Sequence, residues 1–184
     1  MLGACAAIFG KMEVFCVLRM TRLQGFPPVA LDTAHTLILG SMPGVASLSA
    51  SEYYAHPRNA FWRLIGELLG FDASLPYEQR LARLTSAGYA LWDVLGACRR
   101  NGSLDTAIEA ESLEVNPIAD FLAEHPLIDR VFFNGSTAEN LFRRHVMPTL
   151  RNRELTCRRL PSTSPAHASL TLAQKTHAWR EILR

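Results

Sequence analysis

Three short segments carry most of the side chains that could do chemistry. The first is Gly40-Ser-Met-Pro-Gly44. Glycine and proline packed this tightly after an apolar run can turn backbone N–H groups outward into a nest that attracts anions. An ordinary turn from strand to helix uses the same residues. The second segment is Tyr53-Tyr-Ala-His-Pro-Arg-Asn-Ala-Phe-Trp62, which sets two phenols, an imidazole, a guanidinium and a carboxamide just before a helix. Phe61 and Trp62 are expected in the core. Tyr53, Tyr54, His56 and Asn59 are either a binding face or a loop that satisfies its own hydrogen bonds. The third segment is Pro161-Ser-Thr-Ser-Pro-Ala-His167. His56 is an imidazole, a side chain that can donate or accept a proton. Ser41 with His167 could make a nucleophile and its base, although no acid lies near His167 in sequence to orient it. Asp93 and Asp105 are candidate general bases, with a helix cap or an arginine partner as the plainer roles.

The elements that must position these groups follow from the hydrophobic pattern. Thr36–Leu39 is a continuous apolar run stopped by Gly40, as in a strand buried on both faces. Tyr89–Trp92, Val131–Phe133 (closed by Asn134-Gly135) and Leu155–Leu160 read as three more strands. Helical spacing marks Ala60–Leu69, Tyr77–Ala87, Pro117–Glu124, a stretch with Ala138, Leu141 and Phe142, and Leu170–Leu183. Residues 40–59 read as one long Gly/Ser/Pro-rich loop, and Arg99–Asp105 as a polar loop in which Ser103 or Asp105 caps a short helix. Strands alternating with helices predict an α/β fold with a parallel sheet. Ligands of such sheets bind beyond the carboxyl ends of the strands. The loops from Gly40 and from Pro161 both leave such ends, so they share one rim.

Composition narrows the classes. The chain has 184 residues, 48% hydrophobic and 20% charged. That excludes a disordered polymer or coiled coil and predicts one domain. No apolar run is long enough to span a membrane. Net charge is +2, yet the basic residues are 17 Arg and only two Lys, Lys11 and Lys175. Arginine suits phosphate and base stacking, though genomic composition bias gives the same skew. Residues 143–184 hold nine basic and two acidic residues, while 101–129 hold seven acidic and none basic. Such asymmetry suits a backbone-binding side opposite an acidic one. Arg99 and Arg100 are candidate phosphate contacts. Cys5, Cys16, Cys98 and Cys157 form no C-x-x-C pair, which predicts reduced thiols in a cytoplasmic protein and no metal site. Residues 1–19 read as an upstream extension before a second start at Met20; an intact native mass beginning at Met1 or Leu2 overturns this. Residues 20–184 then form the single domain.

Gly40-Ser-Met-Pro-Gly44, Tyr54-Ala-His-Pro-Arg-Asn-Ala-Phe-Trp62 and Leu160-Pro-Ser-Thr-Ser-Pro165 together resemble the uracil-DNA glycosylase superfamily. The loops are similar in order and spacing to those of the mismatch-specific uracil/thymine glycosylases. The hypoxanthine-DNA (DNA-deoxyinosine) glycosylase branch is more similar still: it shares the Gly-Ser-x-Pro turn, the Tyr-Tyr before Pro-Arg-Asn and the Leu-Pro-Ser-Thr-Ser-Pro loop. The resemblance runs from about Leu23 to the C-terminus. It implies a three-layer α/β/α sandwich on a four-stranded parallel sheet, and a base flipped out of the duplex into a pocket.

By position in that family, Tyr54 stacks the extruded base. Gly40, Ser41 and Met42 line the pocket floor, and Asn134 joins the base-binding set. Pro161, Ser162, Thr163, Ser164, Pro165 and His167 enter the minor groove, with the hydroxyls on phosphates. The mismatch-specific branch carries a water-positioning Asn where this chain has Met42, which has no proton chemistry. The resemblance passes that task to Asn59, with His56 the second candidate and a donor to a purine leaving group. Lys11 and Lys175 lie away from these loops in sequence, so the expected reaction is monofunctional hydrolysis without a Schiff base. It needs no cofactor or metal. The expected substrate is deoxyinosine in DNA, with uracil next, and the expected state is a monomer. Two readings stay beside it: a serine acyl hydrolase using Ser41, and a damaged-DNA-binding module that does not cut.

Overall fold

A computed structural model of the chain describes residues 22–150 and 153–184. The expected extension over residues 1–19 lies outside them, with Cys5, Lys11 and Cys16. In chain order the elements are β1 (Arg22–Gln24), β2 (Thr36–Gly40), α1 (Val45–Ala50), α2 (Phe61–Leu69), α3 (Tyr77–Ser86), β3 (Tyr89–Asp93) and β4 (Leu95–Arg99). Then follow β5 (Glu114–Val115), α4 (Ile118–Glu124), β6 (Arg130–Asn134), α5 (Ser136–Leu141), β7 (Thr156–Leu160) and α6 (Leu172–Trp179).

The four expected strands form one parallel sheet in the order β3-β2-β6-β7. Their side chains alternate between two cores, because strand residues point to opposite faces in turn. Leu37, Leu39, Ala90, Trp92, Val131 and Phe133 pack against α4 and α5. Ile38, Tyr89, Leu91 and Phe132 pack against α2, α3 and α6 on the other face. The result is the expected α/β/α sandwich, and both faces of each central strand need apolar residues. Phe61 and Trp62 are in the core, as predicted. Every strand of this sheet ends on one rim, at Gly40, Asp93, Asn134 and Leu160.

The structure departs from the sequence reading in four places. Residues 40–59 are not structureless, since they hold the short helix α1, which closes on Ser51 in the left-handed region (φ 55°). A second, antiparallel sheet β1-β4-β5 was not foreseen; β4 starts two residues after β3 ends and runs into the segment read as a polar loop. Neither Ser103 nor Asp105 caps its own short helical turn. Ser103 Oγ instead accepts from Val45 N at 2.9 Å and so caps α1 from across the rim. Helix α6 begins later than expected, because Thr171 and Gln174 form a reciprocal capping box at its start.

Candidate active site

At the carboxyl ends of β2, β3 and β6 the two Ser/Pro-rich loops enclose a cavity of about 420 Å³. That is within the range of sites that hold a small organic group. Gly40 sets its depth. A Cβ there would stand 2.2 Å from Asp93 Oδ1 and 3.0 Å from the Tyr54 hydroxyl oxygen, so only glycine lets these groups approach. Met42 is buried against Leu95 and Cys98 and gives the cavity an apolar contact.

The Tyr53–Trp62 segment is held from several sides. Tyr53 donates its hydroxyl to Pro27 O, and Trp62 Nε1 donates to Tyr53 O at 2.8 Å. Tyr54 sits in the left-handed region (φ 57°), an uncommon conformation for a residue with a side chain. Its ring stacks on Phe61 at 4.0 Å, which fixes one face while the residue also lines the cavity. Asn59 Oδ1 accepts from Phe61 N at 3.0 Å, so the start of α2 holds the amide in place, and Nδ2 has no partner among the described residues. His56 Nδ1 accepts from Arg58 N at 3.1 Å, which leaves Nε2 to carry the ring proton. Both line the cavity.

The third segment is fastened to β6. Asn134 Nδ2 donates to Thr163 Oγ1, and Thr163 N donates to Asn134 Oδ1, both at 2.8 Å. Thr163 O accepts from Ala60 N at 3.0 Å, and Pro161 O accepts from Trp179 Nε1 at 2.9 Å. One residue thus ties the late loop, the strand end and the start of α2 together.

Two carboxylates face the same cavity and differ in surroundings. Asp93, 3% exposed, ends β3, and its Oδ2 has no hydrogen-bond partner. Burial, and then the charge of Asp105, push its pKa up to about 8, while Arg100 opposes the shift. Asp105 lies at the opening, with Ser41 Oγ 2.9 Å from each of its oxygens and Arg100 Nη1 at 3.8 Å.

A family model for the uracil DNA glycosylase superfamily matches residues 27–183. The chain belongs to that superfamily. It is similar to a hypoxanthine DNA glycosylase of Methanosarcina barkeri, at 36% identity over 88% of this chain and 98% of that protein. A hypoxanthine DNA glycosylase of Methanosarcina acetivorans is 33% identical over the same shares. A solution NMR structure from Methanosarcina acetivorans, provisionally titled a uracil DNA glycosylase, superposes with a TM-score of 0.72. It is 30% identical and covers 89% of this chain and 100% of its own.

In this glycosylase the cavity collects Gly40, Ser41, Met42, Tyr54, Asn134, Asn59 and His56, and the late-loop residues Ser162 to Pro165 and His167. Pro161 is beside them but gives its carbonyl to Trp179. Several expectations need correction. Thr163 is 1% exposed and its hydroxyl is bonded to Asn134, so it holds the loop rather than meeting a phosphate. Asn134 anchors the loop as well as lining the cavity, since its Nδ2 donates to Thr163 Oγ1 and its Oδ1 accepts from Thr163 N. Arg100 is buried, donating to Pro43 O at 2.6 Å and Gly102 O at 3.0 Å, which takes it out of the phosphate set. Among the described residues Asp93 has neither the cap nor the ion pair expected of it, whereas Asp105 does have its arginine.

Lys175 is not remote from the loops: Nζ donates to His167 O at 2.7 Å, and burial lowers its pKa. It lines a second groove rather than the cavity, and among the described residues no lysine lines the cavity. The pairing required of a serine hydrolase is also missing. Ser41 Oγ bonds Asp105, while His167 Nε2 lies 3.3 Å from Ser169 Oγ. Arg58 and Arg63 flank the second groove beside Lys175, a basic edge that the sequence reading did not single out.

Proposed function

We propose that this glycosylase releases hypoxanthine from deoxyinosine in DNA by monofunctional hydrolysis, leaving an abasic site, with uracil as the second base. The observation that carries it is the meeting of Tyr54, Asn59 and His56 in one cavity beside the late loop. An extruded base needs a flat apolar face, and the Tyr54 ring, backed by Phe61, supplies one. Stacking of this kind is worth about 1–3 kcal/mol per base. The Nδ2 of Asn59 donates to the attacking water or to an acceptor on the leaving base, and the Nε2–H of His56 donates to the base. The relatives' names bring hypoxanthine to this chain.

DNA enters this reading along the second groove. Arg58 and Arg63 would meet phosphates there, with Ser164 adding a hydroxyl. Ser162, Pro165 and His167 would press on the minor groove. The protein is read as acting alone, as a cytoplasmic monomer in base excision repair.

The test is base release from short duplexes bearing one deoxyinosine, uracil or xanthine, developed with alkali at abasic sites. Wild type is expected to release hypoxanthine. Asn59→Ala should fall by roughly 100-fold, the scale for losing one aligned donor, with its fold intact by circular dichroism. Equal release by both proteins would move the task to His56. No release from any duplex, with tight binding retained, would leave a damage-sensing module.

A further inference from the structure

An amide orients water but takes no proton from it, and Met42 offers nothing in its place. Of the two carboxyl groups lining the cavity, Asp93 holds a proton at neutral pH, because burial and the charge of Asp105 push its pKa up to about 8. Asp105 differs in three ways. Its side chain is one-third exposed at the mouth, the Ser41 hydroxyl pins both oxygens, and buried Arg100 stands 3.8 Å behind it. Arg100 is itself fixed by Pro43 O and Gly102 O, and its Nη1 has no hydrogen-bond partner. A buried cation locked to the turn backbone holds the carboxylate in front of it in place. A buried carboxyl beside a second one held at the mouth by a hydroxyl and a guanidinium is an arrangement suited to an acid and a base.

We infer that Asp105 is a catalytic residue of this site, whose carboxylate stabilises the positive sugar and takes the proton of the attacking water. The inference rests on the glycosylase reading above. As the C1′–N bond breaks, its electron pair leaves with the base. The water oxygen bonds to C1′, and the water proton passes to Asp105 and on to solvent. The departing base takes one proton from the Asp93 carboxyl, which solvent then restores. Ser41 and Arg100 act as positioning residues for Asp105.

The experiment compares wild type, Asp105→Asn, Asp105→Ala and Ser41→Ala in single-turnover release from a deoxyinosine duplex. Binding to the same duplex with a 2′-fluoro sugar, which resists cleavage, is measured alongside. Asp105→Asn should lose about 10²–10³-fold in rate, the usual scale for an acid–base group, with binding within about threefold of wild type. Added formate should restore part of the rate of Asp105→Ala, a recovery that a merely structural role would not give. A rate for Asp105→Asn within about fivefold of wild type overturns the inference, as does loss of binding without formate rescue. Should the Asp105 variants fail to fold, Ser41→Ala decides. It keeps the carboxylate and loses the pin, so a roughly tenfold fall supports the role and an unchanged rate overturns it. Wild type that releases no base defeats the glycosylase reading itself, a separate result.

Discussion

Gly40→Ala is expected to remove most base release and to lower stability together. The added Cβ would meet Asp93 Oδ1 at 2.2 Å and the Tyr54 hydroxyl oxygen at 3.0 Å, both inside contact distance. Neither neighbour can easily step aside. Asp93 is 3% exposed, which leaves its carboxyl little room to turn, and its backbone is fixed by parallel pairing of β3 with β2 in register with Gly40 and by Asn116 Nδ2 on its carbonyl at 2.9 Å. Tyr54 is stacked on Phe61. Overpacking a site of this kind costs about 1–3 kcal/mol. A displacement near 1 Å in a positioned group costs on the order of 100-fold in rate. Thermal unfolding and single-turnover release on one preparation check both parts. Gly70→Ala is the control: its φ is +74°, but a Cβ there meets nothing within 4 Å. It should lose about 1–2 kcal/mol for the left-handed backbone and leave release unchanged. A Gly40→Ala protein with wild-type rate and melting temperature would count against the cavity geometry.

Three of the four parallel strands were legible because burial on both faces requires apolar runs, and Gly40 and Asn134-Gly135 stop two of them sharply; the largely exposed edge strand β7 was marked instead by the stop at Pro161. That alone placed both Ser/Pro-rich loops on one rim. Helix α1 was illegible because Val45–Ala50 is short, four of its six residues are serine or alanine, and its cap comes from Ser103 far along the chain. The antiparallel sheet was missed for a related reason: β1 and β5 are three and two residues long, below the length at which alternation can be seen. The same limit applied to the site. Tyr54, His56 and Asn59 are neighbours in sequence and showed as a group. The contacts that give Asp105, Thr163 and Arg100 their roles span 64, 29 and 57 residues. No local pattern announces such a pairing. Arg100 was therefore placed at a surface when it is a buried strut, and Thr163 on a phosphate when it is a clamp.

Stability should fall as pH rises from about 4 to about 8, and Asp93→Asn should abolish that slope. An unfolded Asp93 titrates at its ordinary value of 3.8, while in the folded protein burial and Asp105 push it to about 8. Below both values each state is protonated and nothing is lost. Between them the unfolded chain has released its proton and the folded one has kept it, so folding must take a proton up. Stability then drops about 1.4 kcal/mol per pH unit, or roughly 3 kcal/mol from pH 5 to pH 7. The loss levels off above the folded value.

The groups facing Asp93 bear on the slope differently. Tyr53 and Tyr54 stay neutral throughout, since burial raises both far above this window. Asp105 adds to the rise and Arg100 tempers it. Denaturant unfolding of wild type and Asp93→Asn at pH 5, 6, 7 and 8 reads it directly. The variant should gain stability over wild type steadily across the series, and two parallel curves would show that Asp93 does not hold its proton. The gain has a functional cost, because an amide cannot give up a proton to the departing base. Asp93→Asn should therefore be the more stable protein at pH 7 and the slower one. An uncompensated carboxyl lining a cavity costs the fold stability, and the same substitution that recovers the stability removes the proton.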